Sequence, residues 1–218
     1  MKLSPLETRV LGALMEKAIT TPEYYPLTLN SLTLACNQKT SRDPITSYDD
    51  DEVLYGLDQL RDKGVVLRVD VSGSRVPKFR HSLTDKWDLD SPSYALLCVL
   101  FLRGAQTLGQ LRQRTDRLYA FDSLGEVESN LESMADREDE PHILVQRLPR
   151  SPGTKEIRYR HAFADLPDPA ETTEDQHETV STAPGSSPIS ALEGRIVELE
   201  SRLEQLSQQF DEFRKQFD

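Results

Sequence analysis

An internal repeat restricts the folds open to this chain more than any other feature. Residues 1–88 and 89–165 both predict three short helices followed by a two-stranded ribbon, in the same order. Their first helices begin with the similar stretches SPLETRVLGALMEKAI and SPSYALLCVLFLRG. Helix-period apolar residues and N-cap signals predict the helices, and alternating apolar and polar residues predict the ribbons. The sequence therefore predicts two copies of one structural unit, made of three helices and a ribbon.

The third helices and the ribbons of the two units correspond closely. DDDEVLYGLDQLRDKG aligns with SLGEVESNLESMADRE, so that Glu52-Val53 matches Glu126-Val127. Three small helices followed by a hairpin are typical of a winged helix. We therefore predict a mainly α fold with small β-hairpins, of the α+β class. It should contain two tandem winged-helix domains, residues 1–88 and 89–165.

Three long stretches carry a family resemblance. They are MEKAITTPEYYPLTLNSLTLACNQKTSRDP, RGAQTLGQLRQRTDRLYAF and LPRSPGTKEIRYRH. In them the chain resembles the YceH family of uncharacterised bacterial proteins, and the resemblance covers residues 3–163. It implies a bacterial cytosolic protein with a pair of winged helices, and it implies no activity and no site residues.

The tail has a different character from the repeated units. Residues 166–190 are rich in Pro, Ser, Thr and acids and predict a disordered acidic linker. Residues 191–218 predict an amphipathic coiled-coil helix, because apolar residues recur at spacings that alternate between four and three. Its seam would form a homodimer, or the helix would fold back onto the winged helices. The predicted dimerisation residues are Leu192, Ile196, Leu199, Leu203, Leu206, Phe210 and Phe213.

The formal net charge of −11 is concentrated in the tail. Residues 1–88 carry 12 Lys/Arg against 13 Asp/Glu, residues 89–165 carry 10 against 12, and residues 166–218 carry 4 against 12. The repeated part is therefore close to neutral and compatible with either nucleic-acid or protein partners. No apolar run is long enough for a membrane span, and the N-terminus does not resemble a signal peptide. We expect a soluble, cytoplasmic protein with no membrane partner.

Acidic residues at the start of the third helix argue against the usual docking of a winged helix. Asp49, Asp50, Asp51 and Glu52 would complement the helix dipole, and one of them would cap the helix. In a major groove the same carboxylates would repel phosphates. Glu126 and its neighbours repeat the pattern in the second unit, so neither third helix is expected to act as a recognition helix.

Positive charge instead follows the hairpins and one turn. The strand period places Lys78 and Arg80 on the face opposite Phe79 and His81. These cations either cover an apolar face as solvated strand residues or contact a phosphate backbone. The candidate nucleic-acid-binding residues are Lys39, Arg42, Arg75, Lys78, Arg80, Arg150, Lys155, Arg158 and Arg160.

Three local features have competing interpretations. The TPEYYPL segment is expected to be a packed loop, with base or partner stacking by Tyr24 or Tyr25 as the alternative. Arg112 either belongs to a basic helix face or pairs with Asp116. Trp87 is expected to pack between the two units.

The sequence contains no recognisable catalytic or metal-binding motif. The four histidines and two cysteines lack metal-ligand spacing, and there is no phosphate-binding glycine loop. Cys36 and Cys98 are expected to be buried free thiols. We therefore expect a non-enzymatic protein without a cofactor or metal.

Two functions are compatible with these patterns. The first is DNA binding through basic wings, with a regulatory role. The alternative is a protein-interaction adaptor that uses the acidic third helices and the C-terminal helix. A continuous positive stripe across both wings would favour the first, whereas isolated basic spots and an exposed apolar groove would favour the second.

Overall fold

The computed structural model describes residues 1–70, 76–138, 143–150 and 156–164. Arg75, Lys155, the predicted linker and the predicted dimerisation residues lie outside these ranges. The elements of the first half are α1 (Pro5–Thr20), a 3-10 turn (Pro22–Tyr24), β1 (Leu27–Thr28), α2 (Leu29–Cys36), α3 (Asp50–Asp62), β2 (Val66–Val69), β3 (Lys78–His81) and α4 (Leu83–Trp87). Those of the second half are α5 (Ser91–Arg103), β4 (Gln106–Thr107), α6 (Leu108–Thr115), α7 (Leu124–Ala135), β5 (Val145–Arg147) and β6 (Arg158–His161).

Both halves contain the order helix, strand, helix, helix, strand, strand, to which the first half adds the 3-10 turn and α4, and the α+β class is confirmed. Each contains an antiparallel three-stranded sheet, with strand orders β1-β3-β2 and β4-β6-β5. The predicted two-stranded ribbons are therefore incomplete, because β1 and β4 add a third strand to each. These strands have two residues each and run directly into a helix, so they show no alternating pattern that a sequence reading would detect.

Side-chain caps determine where several helices begin. Ser4 and Glu7 form a capping box on α1, Asp49 and Glu52 form one on α3, and Thr107 and Gln110 form one on α6. Each N-cap contributes on the order of 1 kcal/mol to stability. The capping interpretation of the acids at the start of α3 is therefore confirmed for Asp49 and Glu52.

The predicted alternation is confirmed in the second strand of each hairpin, β3 and β6. Phe79 and His81 are buried in β3, and Tyr159 and His161 are buried at the equivalent positions of β6. The cations that alternate with these residues lie on the other face of each strand. Lys78, Arg80 and Arg160 are half-buried, and Arg158 is exposed.

The two halves pack against each other through their first helices. An added Cβ at Gly12 of α1 would come within 2.9–3.0 Å of the side chains of Leu102 and Phe101 in α5, so the helices approach closely where glycine leaves space. The Trp87 ring stacks on Phe163 at a centroid distance of 4.7 Å, which confirms its predicted packing between the halves. All described residues belong to one compact unit.

Candidate nucleic-acid interface

Arg42 is a structural residue, which corrects its prediction as a nucleic-acid contact. Its side chain is 0% exposed and pairs with Glu16 of α1, Nη2 lying 2.6 Å from Oε2. It also donates to the carbonyl oxygens of Ala35 and Ser41 and to Oε1 of Gln38. Because these partners occupy the guanidinium inside the protein, it does not reach a phosphate on the surface.

The loop held by Arg42 lies against the second half. Ser41 adopts a left-handed conformation with φ 59°, and the backbone N–H of Asp43 donates to the carbonyl of Leu102 at 2.9 Å. Arg117, which follows α6, donates to Oγ of Ser41 at 3.0 Å. The exposed Lys39 is therefore held close to cations of the other half.

A groove at this junction collects positive charge from both halves. It has a volume of about 430 Å³ and continues into a narrow cleft that shares Glu16, Thr20, Ser41 and Arg117 with it. Among the described residues, the lining contains one carboxylate, that of Glu16, which Arg42 already binds. We call this surface the basic groove, and its cations are Lys17, Lys39, Arg103, Arg114 and Arg117.

Electrostatic repulsion within the basic groove is visible at Arg103. Burial lowers the pKa of this guanidinium, and repulsion by Arg114, Arg42 and Arg117 lowers it further, whereas attraction to Asp43 raises it. An anion in the groove would relieve the repulsion between these cations. The arrangement therefore suits phosphate or another anionic group.

The strand cations do not line the basic groove. Arg80 lines a separate depression with Tyr25 and Tyr94. Arg160 lines another, next to Arg147, and its Nε donates to Oε1 of Gln146 at 3.1 Å. Among the described residues, Arg80, Arg160 and the cations of the basic groove thus line different pockets. The remaining described candidates are Lys78 on β3, Arg158 on β6 and the exposed Arg150 after β5.

Of the five cations of the basic groove, only Lys39 was among the candidate residues predicted from the sequence, and Lys17, Arg103, Arg114 and Arg117 were not. Lys17 and Arg103 come near the ends of α1 and α5, and each looks in isolation like an ordinary cation at a helix C-terminus. The repeat offered one signal, because the ends of the equivalent helices α1 and α5 can lie side by side if the two units pack together. The close approach of α1 to α5 at Gly12 could not be read from the repeat.

Arg112 and Tyr25 both make hydrogen bonds with backbone groups. Arg112 donates to the carbonyl oxygens of Phe121 and Asp122, which binds α6 to the segment before α7. No ion pair with Asp116 is found among the described residues, so the predicted i,i+4 pair is replaced by carbonyl contacts. Tyr25 is packed, its hydroxyl accepting from the backbone N–H of His81, whereas Tyr24 is 70% exposed.

Helix α3 exposes two apolar side chains next to acidic ones. Leu54 and Tyr55 are exposed, Tyr55 to 63%, and Asp51 and Asp58 lie on the same helical face by i,i+3 and i,i+4 spacing. We call these four residues the α3 face. Arg61 pairs with Asp58 at 2.7 Å, so part of the negative charge of the α3 face is neutralised within the helix. The face is able to accept a partner with cationic and apolar side chains.

Both cysteine thiols are buried, as predicted, and burial makes them poor nucleophiles. Cys36 and Cys98 are free and buried. Burial raises the pKa of Cys36 to about 12 and raises that of Cys98 as well. In the described part of the chain, no three His, Cys, Asp or Glu side chains are grouped as metal ligands, and no helix has the length and apolarity to cross a membrane.

The sequence matches a known family over most of this folded region. A family model described as "Protein of unknown function, DUF480" matches residues 3–154. The chain belongs to the DUF480 family. This confirms the expected membership of a family of uncharacterised bacterial proteins. The match to the DUF480 model includes every lining residue of the basic groove and all four residues of the α3 face.

Bacterial relatives are similar over most of their length. A UPF0502 protein of Opitutus terrae is 54% identical over 159 residues, 73% of this chain and 68% of that protein. A UPF0502 protein of Geotalea daltonii is 49% identical over 168 residues, 77% of this chain and 75% of that protein. A UPF0502 protein of Shewanella halifaxensis is 46% identical over 184 residues, 80% of this chain and 84% of that protein. These names carry no activity that would assign a role to the DUF480 fold.

Proposed function

We propose that this chain is a non-enzymatic tandem winged-helix protein that binds nucleic acid through the basic groove, with the strand cations as additional phosphate contacts. The winged-helix interpretation is supported by the order of elements in each half and by the sheet order β1-β3-β2, which β4-β6-β5 repeats. A regulatory role in the cytoplasm, as a homodimer formed by the C-terminal helix, belongs to the same proposal.

The observation that carries the proposal is the convergence of cations from both halves on one groove. Five Lys and Arg side chains line it, whereas its one carboxylate is engaged by Arg42. Phosphate contacts of this type provide affinity without reading sequence. The α3 face is acidic, so binding would not use the major-groove insertion of the third helix that is common among winged helices.

Fluorescence anisotropy of a labelled random duplex at several salt concentrations tests the proposal. Each phosphate contact contributes a slope of about −0.9 to a plot of log affinity against log salt concentration. The Lys39→Ala/Arg117→Ala variant should therefore reduce the magnitude of the slope by roughly 1.8 and weaken binding.

A matched control removes two exposed cations outside the basic groove. Arg61→Ala/Lys86→Ala changes the net charge by the same amount, and both side chains are exposed. This variant should keep the slope of the unmodified protein. Two further variants, Lys78→Ala/Arg80→Ala and Arg158→Ala/Arg160→Ala, measure the contribution of each hairpin. Absence of binding at low salt, or equal losses in the groove and control variants, would reject nucleic-acid binding through the groove.

A second function is favoured by the α3 face. Apolar side chains flanked by carboxylates are suited to a protein partner that presents a basic, amphipathic segment. Under this proposal the chain is an adaptor, and the C-terminal helix supplies further contacts.

Site-specific photo-crosslinking in bacterial cells distinguishes the adaptor from a nucleic-acid binder. A photoreactive phenylalanine at position 55 should yield a defined protein adduct, whereas the same group at position 24 should not. The comparison is matched because Tyr55 and Tyr24 are both exposed tyrosines, at 63% and 70%. Identical adduct patterns at the two positions would contradict a specific role for the α3 face.

A further inference from the structure

A second cavity lies between the halves, away from the basic groove. Its volume is about 300 Å³, at the lower end of the range typical of small-molecule sites. Helices α1 and α5, the loop before α3 and the residues around the end of β6 contribute its walls. Its lining is largely apolar and includes Leu3, Leu100 and Phe101. The polar members are Thr8, Arg9, Asp43 and His161. We call it the Arg9 cavity.

Arg9 is a buried cation with an unused donor. Only 4% of the residue is exposed. Nη1 donates to the Cys36 carbonyl and the Thr46 hydroxyl at 3.0 Å, and Nη2 donates to the Pro44 carbonyl at 2.6 Å. Its Nε is buried without a hydrogen-bond partner among the described residues. Among the described residues no carboxylate lies within ion-pair distance of Arg9, so its hydrogen bonds go to neutral carbonyl and hydroxyl oxygens, and Asp43 attracts it from farther away.

His161 provides the second unused group on the wall. The residue is 8% exposed, and its ring packs edge-on against Phe101 at a centroid distance of 5.0 Å. Its Nδ1 is the other buried side-chain atom without a partner in the described part of the chain. Burial, with a smaller contribution from Arg160, lowers the pKa of His161 to about 4. At neutral pH the imidazole is therefore neutral and has one N–H to donate.

Arg9 and His161 both line the cavity, and each has one buried polar atom without a hydrogen-bond partner among the described residues. A buried polar atom without a partner destabilises the folded state. A ligand that supplies an acceptor to both would recover this cost, and a negative charge on the acceptor would also compensate the Arg9 guanidinium. The apolar remainder of the wall requires an apolar ligand body.

We propose that the Arg9 cavity binds a small organic monocarboxylate, whose carboxylate accepts hydrogen bonds from the Nε–H of Arg9 and the imidazole of His161. Its apolar body lies against Leu100 and Phe101. Asp43 also lines the cavity and opposes a negative ligand, but its exposed position allows water to screen its charge. This residue favours ligands with a single negative charge over phosphates.

Isothermal titration calorimetry of the full-length protein with acetate, hexanoate and benzoate tests this site. At least one of the two larger carboxylates should bind, and acetate, which lacks an apolar body, should bind at least tenfold more weakly. Benzamide and benzyl alcohol are the neutral counterparts of benzoate and should also be at least tenfold weaker.

Two variants change the affinity in opposite directions. His161→Phe keeps a ring against Phe101 and removes the donor, so carboxylate affinity should fall at least tenfold. Asp43→Asn removes the opposing charge, so affinity should rise about two- to fivefold, as expected for a screened surface interaction. Circular dichroism and the melting temperature establish that each variant is folded.

Several results would overturn the proposal. These are no binding of any of the three carboxylates, equal binding of benzoate and benzyl alcohol, or an unchanged affinity in folded His161→Phe. If this variant does not fold, a failure of Asp43→Asn to strengthen binding decides against the site. The Arg9 cavity and the basic groove share no lining residue, so the outcome is independent of the nucleic-acid test.

Discussion

Replacing Arg42 with alanine should separate structural from surface cations in the loop before α3. Truncation would leave Glu16, whose side chain is only 9% exposed, without its partner at 2.6 Å, and Lys17 at 3.9 Å would remain as a distant counterion. It would also remove both donors to the carbonyl of Ala35. Breaking a buried pair in this way costs about 3–5 kcal/mol.

Urea unfolding of the full-length protein, followed by circular dichroism, measures this loss. In thermal unfolding, a loss of 1 kcal/mol lowers the melting temperature of a folded region of this size by about 2–4 °C. The melting temperature of Arg42→Ala should therefore decrease by roughly 6–20 °C. Lys39→Ala is the control, because Lys39 is an exposed cation three positions earlier and its removal should change stability by less than about 0.5 kcal/mol. A loss below 1 kcal/mol in Arg42→Ala would refute the structural assignment.

A double-mutant cycle attributes the loss to the ion pair itself. If Glu16→Gln and Arg42→Ala act through one interaction, the double variant should be more stable than the sum of the single losses predicts. Coupled contacts of this kind show interaction energies of about 0.5–3 kcal/mol. Strict additivity would mean that Arg42 stabilises the loop through the carbonyl groups alone.

Three further predictions concern packing, thiol reactivity and pH. Trp87→Ala should cost about 3–5 kcal/mol in urea unfolding, because it removes a large ring buried between the halves. Cys36 and Cys98 should resist a thiol reagent at pH 8 until urea unfolds the protein, and fast labelling of the native state would contradict their burial. Burial acts to raise the pKa of Glu7, but hydrogen bonds from Lys63 and the Ser4 backbone outweigh it and lower the pKa. The lowered pKa of Glu7 stabilises the folded protein at pH values above the unfolded pKa, and this stabilisation is lost as the pH falls through the folded pKa. Lys63→Met removes one cause of the lowered pKa, so it should reduce the loss of stability in acid.

Local sequence signals predicted much of the fold because their physical causes are local. Ser4, Asp49 and Thr107 bond to backbone donors three positions later, so a short pattern contains the complete interaction. Alternation along β3 and β6 is equally local, since one face of each strand packs on the core. The two-residue strands β1 and β4 escaped prediction because their pairing partners lie far along the chain.

Residues of the candidate interface were harder to predict because burial of a charge is a long-range property. Arg42 and Lys39 are both cations in one turn, yet one is paired with Glu16 and the other is exposed. Lys17 and Arg103 join the basic groove only because α1 and α5 pack together. A sequence pattern identifies the cations, but the packing of the two halves decides which of them share a surface.

The close packing of α1 on α5 at Gly12 has a consequence for how the protein unfolds. Residues of both helices belong to one continuous apolar cluster, so separating the halves would expose core side chains of each. The duplicated units should therefore unfold in one cooperative step rather than as two independent foldons. In hydrogen exchange, the slowest amides of α1 and α5 should share a single opening free energy.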